Sequence, residues 1–474
     1  MISALVAVSS LCVHVPLHAQ VPVQSNAEVL FASDGDPSDR FGDALAVDGD
    51  IAVVGAPGDD DMASGAGAAY IFRRIGGDWV EEQKLVASDG GFDDRFGDVV
   101  AIHGDVVAVS ATNNSSPRFV YLFRFDGSTW LEEQKLASSG AGYGRALALH
   151  EDTLVVGDSL HDFTTGAAYV YEWSGTAWDQ VQLLSPPDAD LFGIDVDLDA
   201  DTLVVGASGQ SPGGAAYVYT RTGSSFSLQE VLTASDAAPF WGFGATVSLQ
   251  DDFMFVTAIG AEGDAGAVYV LHDDGSTWTE VQKLSSSVPP PAGGFGLVID
   301  VEGPYMAIGS YGGIGCDAAT QTYLFAKIGP AWVEARKLIA PPSEPLNSMS
   351  RTIAVTNDQV WVGAQCVGPG TTGPGGAYVY ELEAAFSRGD CNVDELIDCA
   401  DAIRILMTLF ELADPLPCQD ACDANDDGAV NIADPIVLLT HLFSGGGPLP
   451  SPTGGCGDDP TIDTLVCDPA PYCP

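Results

Sequence analysis

Short apolar runs separated by polar turns repeat along most of the chain. One unit has four of them, FGDALAVDGD, IAVVGAP, AAYIFRR and DWVEEQKLVAS, beginning at Phe41. β-Branched and aromatic residues bounded by Gly, Asp and Pro are typical of strands, and no run is long enough for a helix. The tyrosine of the third run recurs seven times, at Tyr70, Tyr121, Tyr169, Tyr217, Tyr269, Tyr323 and Tyr378. Four strands per period of about 50 residues predict an all-β, seven-bladed β-propeller.

The fourth run is missing from the seventh unit. Its aromatic residue recurs only six times, at Trp79, Trp130, Trp178, Phe226, Trp278 and Trp332. The seventh unit ends at YVYELEAAF, whereas the early segment VQSNAEVLFASDG matches the end of a fourth run and has no unit before it. We therefore expect the N-terminal strand to complete the seventh blade, which closes the ring and removes an open sheet edge.

A small residue ends the second run of every unit. The seven are Gly55, Ser110, Gly157, Gly206, Thr257, Gly309 and Gly363. We expect small residues here because inner strands crowd around the central axis of a propeller.

The segments FGDALAVDGDIAVVGAP, YGRALALHEDTLVVGDS and FGIDVDLDADTLVVGAS resemble FG-GAP repeats, which build integrin alpha-chain propellers and many secreted bacterial proteins. The resemblance covers about residues 24–383 and implies the fold, while one fold hosts many activities. Integrin-type repeats often bind calcium in a hairpin loop, but the corresponding turns here, such as VDGDIA, are too short for those ligands. Acidic loops precede FG in two units, with Asp34, Asp36 and Asp39, then Asp89, Asp93 and Asp94. We interpret them as solvated turns, with a metal site as the alternative.

Two matched acidic loops follow the last unit, at residues 390–401 and 423–434. Both place side-chain oxygens at positions 1, 3, 5, 9 and 12 and a backbone carbonyl at position 7, the spacing of an EF-hand-like Ca²⁺ loop. The predicted ligands of the first loop are Asp390, Asn392, Asp394, the Leu396 carbonyl, Asp398 and Asp401. Those of the second are Asp423, Asn425, Asp427, the Ala429 carbonyl, Asn431 and Asp434. The second loop has Gly428 at position 6, where the first has Glu395.

An apolar helical stretch follows each loop, and the pair resembles a type I dockerin over about residues 389–444. The resemblance implies a small helical module that docks secreted proteins onto a cohesin-like partner when Ca²⁺ is bound. The predicted organisation is a signal peptide at 1–20, the propeller at 21–383, a linker at 384–388, the dockerin-like module at 389–444 and a Cys/Pro-rich tail at 445–474.

Charge and cysteine content indicate the cellular location of the protein and exclude some classes of partner. The chain has 66 acidic and 17 basic residues, a net charge of −49, which disfavours nucleic acids and anionic lipid surfaces. The apolar first twenty residues are interrupted by His14, Pro16 and His18, which favours a secretion signal over a membrane span, and no later segment predicts membrane insertion. Ten cysteines, seven of them within residues 391–473, indicate an oxidising extracellular location. The odd set of seven leaves one free or intermolecular thiol, and pairing cannot be derived.

No sequence motif of a nucleophile, a phosphate site or a zinc protease is present; HEDT at His150 is not HExxH. We therefore predict no catalytic residues and no cofactor beyond Ca²⁺. The favoured hypothesis is a secreted or surface-displayed binding or adhesion propeller, attached through its docking module to a protein or glycan of the cell envelope or extracellular matrix. The alternative is a secreted carbohydrate-active enzyme, because glycosidase carboxylate pairs leave no local motif.

Overall fold

The computed structural model describes residues 27–113, 117–287, 290, 293–310, 321–328, 330–338, 349–365, 367, 373–382, 388–391, 397, 399–410, 416, 418–444 and 449–450. The chain forms two compact units, which are described separately. One comprises Asn26–Phe325 and Lys337–Tyr380, and Glu381–Pro474 belongs to the other. Within the described ranges, no helix has both the length and the apolar character needed to cross a membrane.

Seven four-stranded sheets form the blades. Blades one to four contain β2 (Ala44–Asp48), β3 (Ile51–Ala56), β4 (Ala68–Ile75), β5 (Asp78–Leu85); β6 (Phe96–His103), β7 (Val106–Ala111), β8 (Arg118–Phe125), β9 (Trp130–Ser138); β10 (Tyr143–His150), β11 (Thr153–Asp158), β12 (Ala167–Trp173), β13 (Trp178–Leu184); and β14 (Phe192–Asp199), β15 (Thr202–Ala207), β16 (Ala215–Thr222), β17 (Ser225–Leu232). Blades five to seven contain β18 (Phe243–Gln250), β19 (Phe253–Ala258), β20 (Ala267–Asp273), β21 (Trp278–Leu284); β22 (Phe295–Glu302), β23 (Tyr305–Ser310), β24 (Thr322–Ile328), β25 (Ala331–Leu338); and β26 (Met349–Val355), β27 (Gln359–Ala364), β28 (Gly376–Glu381) with β1 (Glu28–Leu30).

The seventh blade is completed by the N-terminal strand, as predicted. β1 pairs antiparallel with β28, with Glu28 opposite Val379 and Leu30 opposite Ala377. Across the junction of blades one and seven, Trp79 Nε1 donates to Gln359 Oε1 at 3.1 Å. The first strands of successive blades contact one another around the whole ring, from β2 to β26 and back to β2. The first strand of each blade is therefore the innermost one.

Apolar residues pack between neighbouring blades. Val53 and Ile71 of blade one, for example, share a buried cluster with Phe96 and Val107 of blade two. The second and third strands bury almost every residue, because a neighbouring blade covers each face, while the fourth strand alternates buried and exposed positions. This explains why second runs are continuously apolar and fourth runs are not.

The explanation that the sequence suggested for the small residues was wrong. They lie on the second strand, whereas the first strand is innermost. A Cβ on Gly55 would lie 2.0 Å from the carbonyl oxygen of Gly97 in the next blade, and one on Gly363 would lie 2.0 Å from that of Gly42. Contact between blades, not crowding at the axis, therefore requires a small residue there.

The phenylalanine and glycine of the FG motif both belong to this inter-blade contact. Phe96 is buried, and its N–H donates to the Ala66 carbonyl of blade one at 2.9 Å. Gly97 has a φ of +92°, a left-handed conformation that favours glycine. The same arrangement joins blades seven and one, where the Phe41 N–H donates to the Pro374 carbonyl at 2.8 Å.

The second unit is helical. Its helices are α2 (Cys399–Leu409), α3 (Gln419–Cys422) and α4 (Ala433–Ser444), while α1 (Ala261–Asp264) is a single turn in blade five. α2 and α4 pack on each other, and the buried cluster around them includes Ala402 of α2 and Leu438 of α4. A disulfide joins Cys391 to Cys422, so it connects the start of the first acidic loop to the residue before the second.

Candidate functional site

Two sets of loops meet at one end of the propeller, which we call the loop face. One set joins the second and third strands of a blade, and the other leads from each fourth strand to the next blade. Backbone hydrogen bonds join the two sets, such as Asp93 N–H to Ser64 O at 3.0 Å and Gly294 N–H to Asp264 O at 2.7 Å. Three separate loops on this face expose a phenylalanine, Phe92, Phe163 and Phe240. Each of the three is a single exposed ring on its own loop.

The acidic loops before FG are not simply solvated turns. Asp34 accepts hydrogen bonds from the Tyr70 hydroxyl and from Lys84 Nζ, each at 2.8 Å. Asp89 accepts from Tyr121 at 2.8 Å and from Lys135 at 2.6 Å, and these bonds lower the pKa of its carboxyl. The sequence could have suggested this set, because an ASD segment, the third-run tyrosine and a QKL segment occur together in more than one unit. These aspartates fasten the loop to the third and fourth strands.

In blade one, a single lysine contacts three carboxylates of this network. Lys84 Nζ lies 2.8, 2.7 and 2.6 Å from carboxylate oxygens of Asp34, Asp59 and Asp61. Burial opposes the charge of Lys84, but the three carboxylates raise its pKa. Asp39 lies apart from the lysine, and burial raises its pKa to about 6. Among the residues with described positions, no group of three or more His, Cys, Asp or Glu side chains is arranged to hold a metal ion.

The remaining acidic-loop residues serve local structure. The Asp39 carboxylate accepts the Asp36 N–H at 2.6 Å. The Asp94 carboxylate accepts the Gly91 N–H at 2.7 Å, and Asp93 lies 3.0 Å from Arg95 Nε. These hydrogen bonds hold the turns that precede Phe41 and Phe96.

Three aspartates on innermost strands, Asp195, Asp197 and Asp300, were not singled out from the sequence. Each accepts the N–H of the innermost strand of the next blade, from Val247 at 2.8 Å, Leu249 at 2.7 Å and Val355 at 2.6 Å, respectively. An innermost strand has one unpaired edge, and these carboxylates satisfy its N–H groups. The sequence could have indicated them, because the aspartates of FGIDVDLD occupy alternate positions and therefore lie on one side of the strand. Burial raises the pKa to about 7 for Asp195, about 6 for Asp197 and about 7 for Asp300.

The raised pKa of Asp300 predicts a pH-dependent stability. Between the unfolded value of 3.8 and the folded value of about 7, the folded protein holds a proton that the unfolded chain has lost, so stability falls as pH rises through this window. We expect Asp300→Asn, which keeps an acceptor for Val355, to raise the free energy of unfolding at pH 8 by about 2 kcal/mol and to change it little at pH 4. Urea denaturation at both pH values measures this difference.

Asp126→Asn provides a control of opposite sign. The Asp126 carboxylate accepts the N–H groups of Thr129 and Ser128, which lower its pKa. The ionised Asp126 carboxylate stabilises the folded protein at pH values above its unfolded pKa, and this stabilisation is lost as pH falls. Asp126→Asn should therefore have a lower free energy of unfolding than the parent at pH 8. A gain from Asp300→Asn that does not change with pH would contradict the assigned cause.

The second acidic loop folds around its own carboxylates. Asp423, at position 1, accepts the N–H groups of Asp427 at 3.2 Å and Gly428 at 2.7 Å. Asp434, at position 12, accepts those of Asn425 at 3.3 Å and Asn431 at 2.7 Å. Gly428 has a φ of +79°, which agrees with the sharp turn expected at position 6.

Two acidic side chains are buried inside this loop. Asp423 and Asp434 are both fully buried. Burial and the neighbouring charge of Asp423 raise the pKa of Asp434 to about 6, although the Asn431 N–H opposes the shift. Arg388, which the sequence places in the linker, donates to the Asp423 carbonyl at 2.8 Å and lies 3.0 Å from the Asp426 carboxylate.

Asp427, Ala429 and Asn431 make the remaining contacts of the second loop. Asp427 Oδ2 accepts from the Asn425 amide at 3.0 Å, and the Ala429 carbonyl accepts from the Asn431 amide at 2.8 Å. The structure thus brings all six predicted ligand residues into one hydrogen-bonded loop.

The first loop is described only at its ends. Asp390 and Asp401 are buried, and Asp401 Oδ1 accepts the Cys391 N–H at 2.7 Å. Asn392, Asp394, Leu396 and Asp398 lie outside the described residues. Cys391, Cys399, Cys418 and Cys422 are disulfide-bonded. The predicted unpaired thiol is not among these four cysteines, and Cys456, Cys467 and Cys473 lie outside the described part of the chain.

Comparison with known proteins agrees with the propeller. The FG-GAP repeat family matches residues 25–72, 79–123, 130–171, 178–219 and 226–271. No curated protein matches the chain. A similar solved structure is the crystal structure of the Saccharomyces cerevisiae Sqt1, at 11% identity and a TM-score of 0.43, covering 73% of this chain and 84% of that chain. The first matched segment includes β1, the closing strand of blade seven, and the others fall in blades one to five; the structure adds blade six and the other three strands of blade seven. The chain therefore carries FG-GAP repeats, and it folds as a seven-bladed β-propeller.

Proposed function

We propose that this protein is a secreted or surface-displayed binding protein, whose propeller carries the recognition surface and whose C-terminal loop pair attaches it to a partner in the presence of Ca²⁺. The loop face supports the first part of this proposal, that the propeller provides the recognition surface. Phe92, Phe163 and Phe240 extend from three loops at the same end of the ring. Aromatic side chains supply much of the binding energy at protein interfaces.

The donor types of the second loop support the calcium part of the proposal, although no three described acidic side chains are arranged to hold a metal ion. Buried carboxylates at both ends of the loop repel each other, and a divalent cation between them would neutralise that charge. Asp427, the Asn425 and Asn431 amides and the Ala429 carbonyl would complete an all-oxygen set of the kind Ca²⁺ prefers. Ca²⁺ would bind these oxygens and fix the position of α4, which begins inside the loop at Ala433.

The chemistry of the partner follows from charge and from the dockerin resemblance. A protein with a net charge of −49 disfavours anionic polymers and favours a neutral or basic surface. The proposed partners are therefore a protein or glycan of the cell envelope or extracellular matrix for the propeller and a cohesin-like protein for the loop pair. A secreted carbohydrate-active enzyme is a less favoured second candidate, since no residue on the loop face has been assigned a catalytic role.

Capture from envelope and matrix extracts tests the proposal. The mature protein is immobilised and exposed to extract with Ca²⁺ or with a chelator, alongside Asp434→Asn and a triple variant with serine at Phe92, Phe163 and Phe240. We expect one partner that is lost with chelator and with Asp434→Asn, and another that is lost only with the triple variant. Capture that is identical in all samples would contradict the proposal. Turnover of a polysaccharide panel would favour the enzyme instead.

A further inference from the structure

A small cavity opens on the loop face between blades four and five. Its volume is about 260 Å³. One wall is the loop from Ser208 to Gly214, which joins the second and third strands of blade four. The other wall is Pro239 and Phe240, on the segment that leads into blade five. The cavity is near the small end of the roughly 300–1,000 Å³ typical of ligand pockets, so it suits a single ring-sized group.

The walls of the cavity are fixed by backbone contacts. The Gly213 carbonyl accepts the Phe243 N–H at 2.8 Å, and the Gly214 N–H donates to the Gln210 carbonyl at 2.6 Å. A Cβ on Gly214 would lie 2.1 Å from the Phe243 oxygen, so the loop lies directly against the next blade. A pocket with fixed walls spends little free energy on ordering when a ligand binds.

The lining of this cavity is uncharged, which is unusual in so acidic a protein. None of its nine residues is Asp, Glu, Lys, Arg or His, and Ser208, Ser211 and Gln210 provide hydroxyl and amide groups. Gln210 Oε1 is buried without a hydrogen-bond partner. Solvent does not reach this oxygen, so the polar groups that a ligand meets directly are the hydroxyls of Ser208, which is half-buried, and Ser211, which is exposed.

An aromatic ring stands at the edge of the same cavity. Phe240 is 96% exposed, although it lines the pocket together with Pro212 and Pro239. An aromatic face beside hydroxyl and amide groups matches a ligand with one apolar face and several hydroxyls. Asp190 lies close behind, with its carboxyl carbon 2.9 Å from where a Cβ on Gly209 would be. This nearby acidic residue disfavours anions.

From these observations we infer that the cavity between Ser208–Gly214 and Pro239–Phe240 is a binding site for a neutral sugar residue of a glycan. The sugar stacks on Phe240 and forms hydrogen bonds with the hydroxyls of Ser208 and Ser211. This inference rests on the proposed role of the propeller as the binding part of the protein, and it specifies the ligand class for one position on the loop face.

Titration of the mature protein with simple glycosides tests the inference. The probes are methyl glycosides of glucose, galactose, mannose and N-acetylglucosamine, with glucuronic acid and glucosamine as charged counterparts. Binding is measured by saturation-transfer NMR and by titration. We expect at least one neutral glycoside to bind with a millimolar dissociation constant, and both charged counterparts to bind at least fivefold more weakly.

Three variants separate the pocket from the rest of the loop face. Phe240→Ala should weaken binding at least fivefold, because the stacking face is lost. Phe163→Ala is the matched control, since Phe163 is 93% exposed on a loop of blade three and does not line the cavity; it should bind as the parent does. Ser211→Ala should weaken binding by a smaller factor while leaving the fold intact, because one exposed hydroxyl of the lining is removed.

Specific outcomes overturn the inference. They are the absence of binding by every neutral glycoside, preference for a charged one, or equal weakening by Phe163→Ala and Phe240→Ala. Failure of the broader proposal has a different signature. If the pocket inference alone is wrong, no neutral glycoside binds, while capture from envelope extract is still lost with the triple variant. If the proposed function is wrong, capture fails while glycoside binding to the protein persists.

Discussion

Replacement of Gly97 by alanine should lower the free energy of unfolding of the propeller by about 4 kcal/mol, the sum of a backbone and a steric cost. Gly97 has a φ of +92°, and a left-handed conformation costs a residue with a Cβ about 1–2 kcal/mol. The new Cβ would also lie 2.2 Å from the Ala68 carbonyl oxygen of blade one, and backbone on both sides leaves little room to relax. Urea denaturation followed by tryptophan fluorescence measures the loss.

Gly175→Ala separates the two costs. Gly175 has a φ of +89°, nearly the same as that of Gly97, but a Cβ there would meet no atom within 4 Å. It should therefore lose only the conformational part, about 1–2 kcal/mol. Equal destabilisation by the two substitutions would show that the inter-blade contact contributes nothing, and would contradict the role assigned to the FG glycine.

Asp434→Asn should weaken the binding of Ca²⁺ to the second loop about tenfold or more, because Ca²⁺ affinity depends on the number of charged ligands. The substitution keeps the size of the side chain and an oxygen able to accept the Asn431 N–H, so the loop should still close. Isothermal titration of the mature protein with CaCl₂ measures the change. Circular dichroism of the calcium-free protein shows whether the helices are retained.

Asp426→Asn is the matched control in the same loop. Asp426 stands at position 4, which supplies no ligand in this spacing, and its carboxylate lies 3.0 Å from Arg388 instead. Removal of the Asp426 charge should leave the Ca²⁺ affinity of the variant within about twofold of the parent's. The calcium proposal fails if both variants bind equally well, or if the parent protein binds no Ca²⁺ at this loop.

Much of the fold could be predicted because a blade is a local pattern. The repeated tyrosine and tryptophan positions gave the strand order, and the absent seventh tryptophan predicted the closing β1 strand that the structure contains. In the second unit, the helices after the acidic loops also lie where the apolar stretches predicted them. The same reasoning failed at Gly55, where the sequence shows that a residue must be small but not which neighbour requires it.

The candidate site was predicted less completely, because its contacts join distant parts of the chain. The spacing pattern of the second loop identified six residues that the structure places in one hydrogen-bonded loop, and their binding of Ca²⁺ stays a prediction. The Cys391–Cys422 bond could not be derived, because an odd set of seven cysteines allows many pairings. Nor could sequence reasoning select Gln210 or Phe240, since neither belongs to a recurring motif.

The sequence by itself determined that the apolar runs form strands, that four of them make a repeat, and that the N-terminal strand completes the seventh repeat. The reason is that strand periodicity and turn residues act between close neighbours along the chain. Only the tertiary structure decided what meets across the blades: Gly55 against Gly97, Asp300 against Val355, and Gln210 beside Phe240. Those contacts depend on the ring being closed, because closure sets which face of each blade packs on the next.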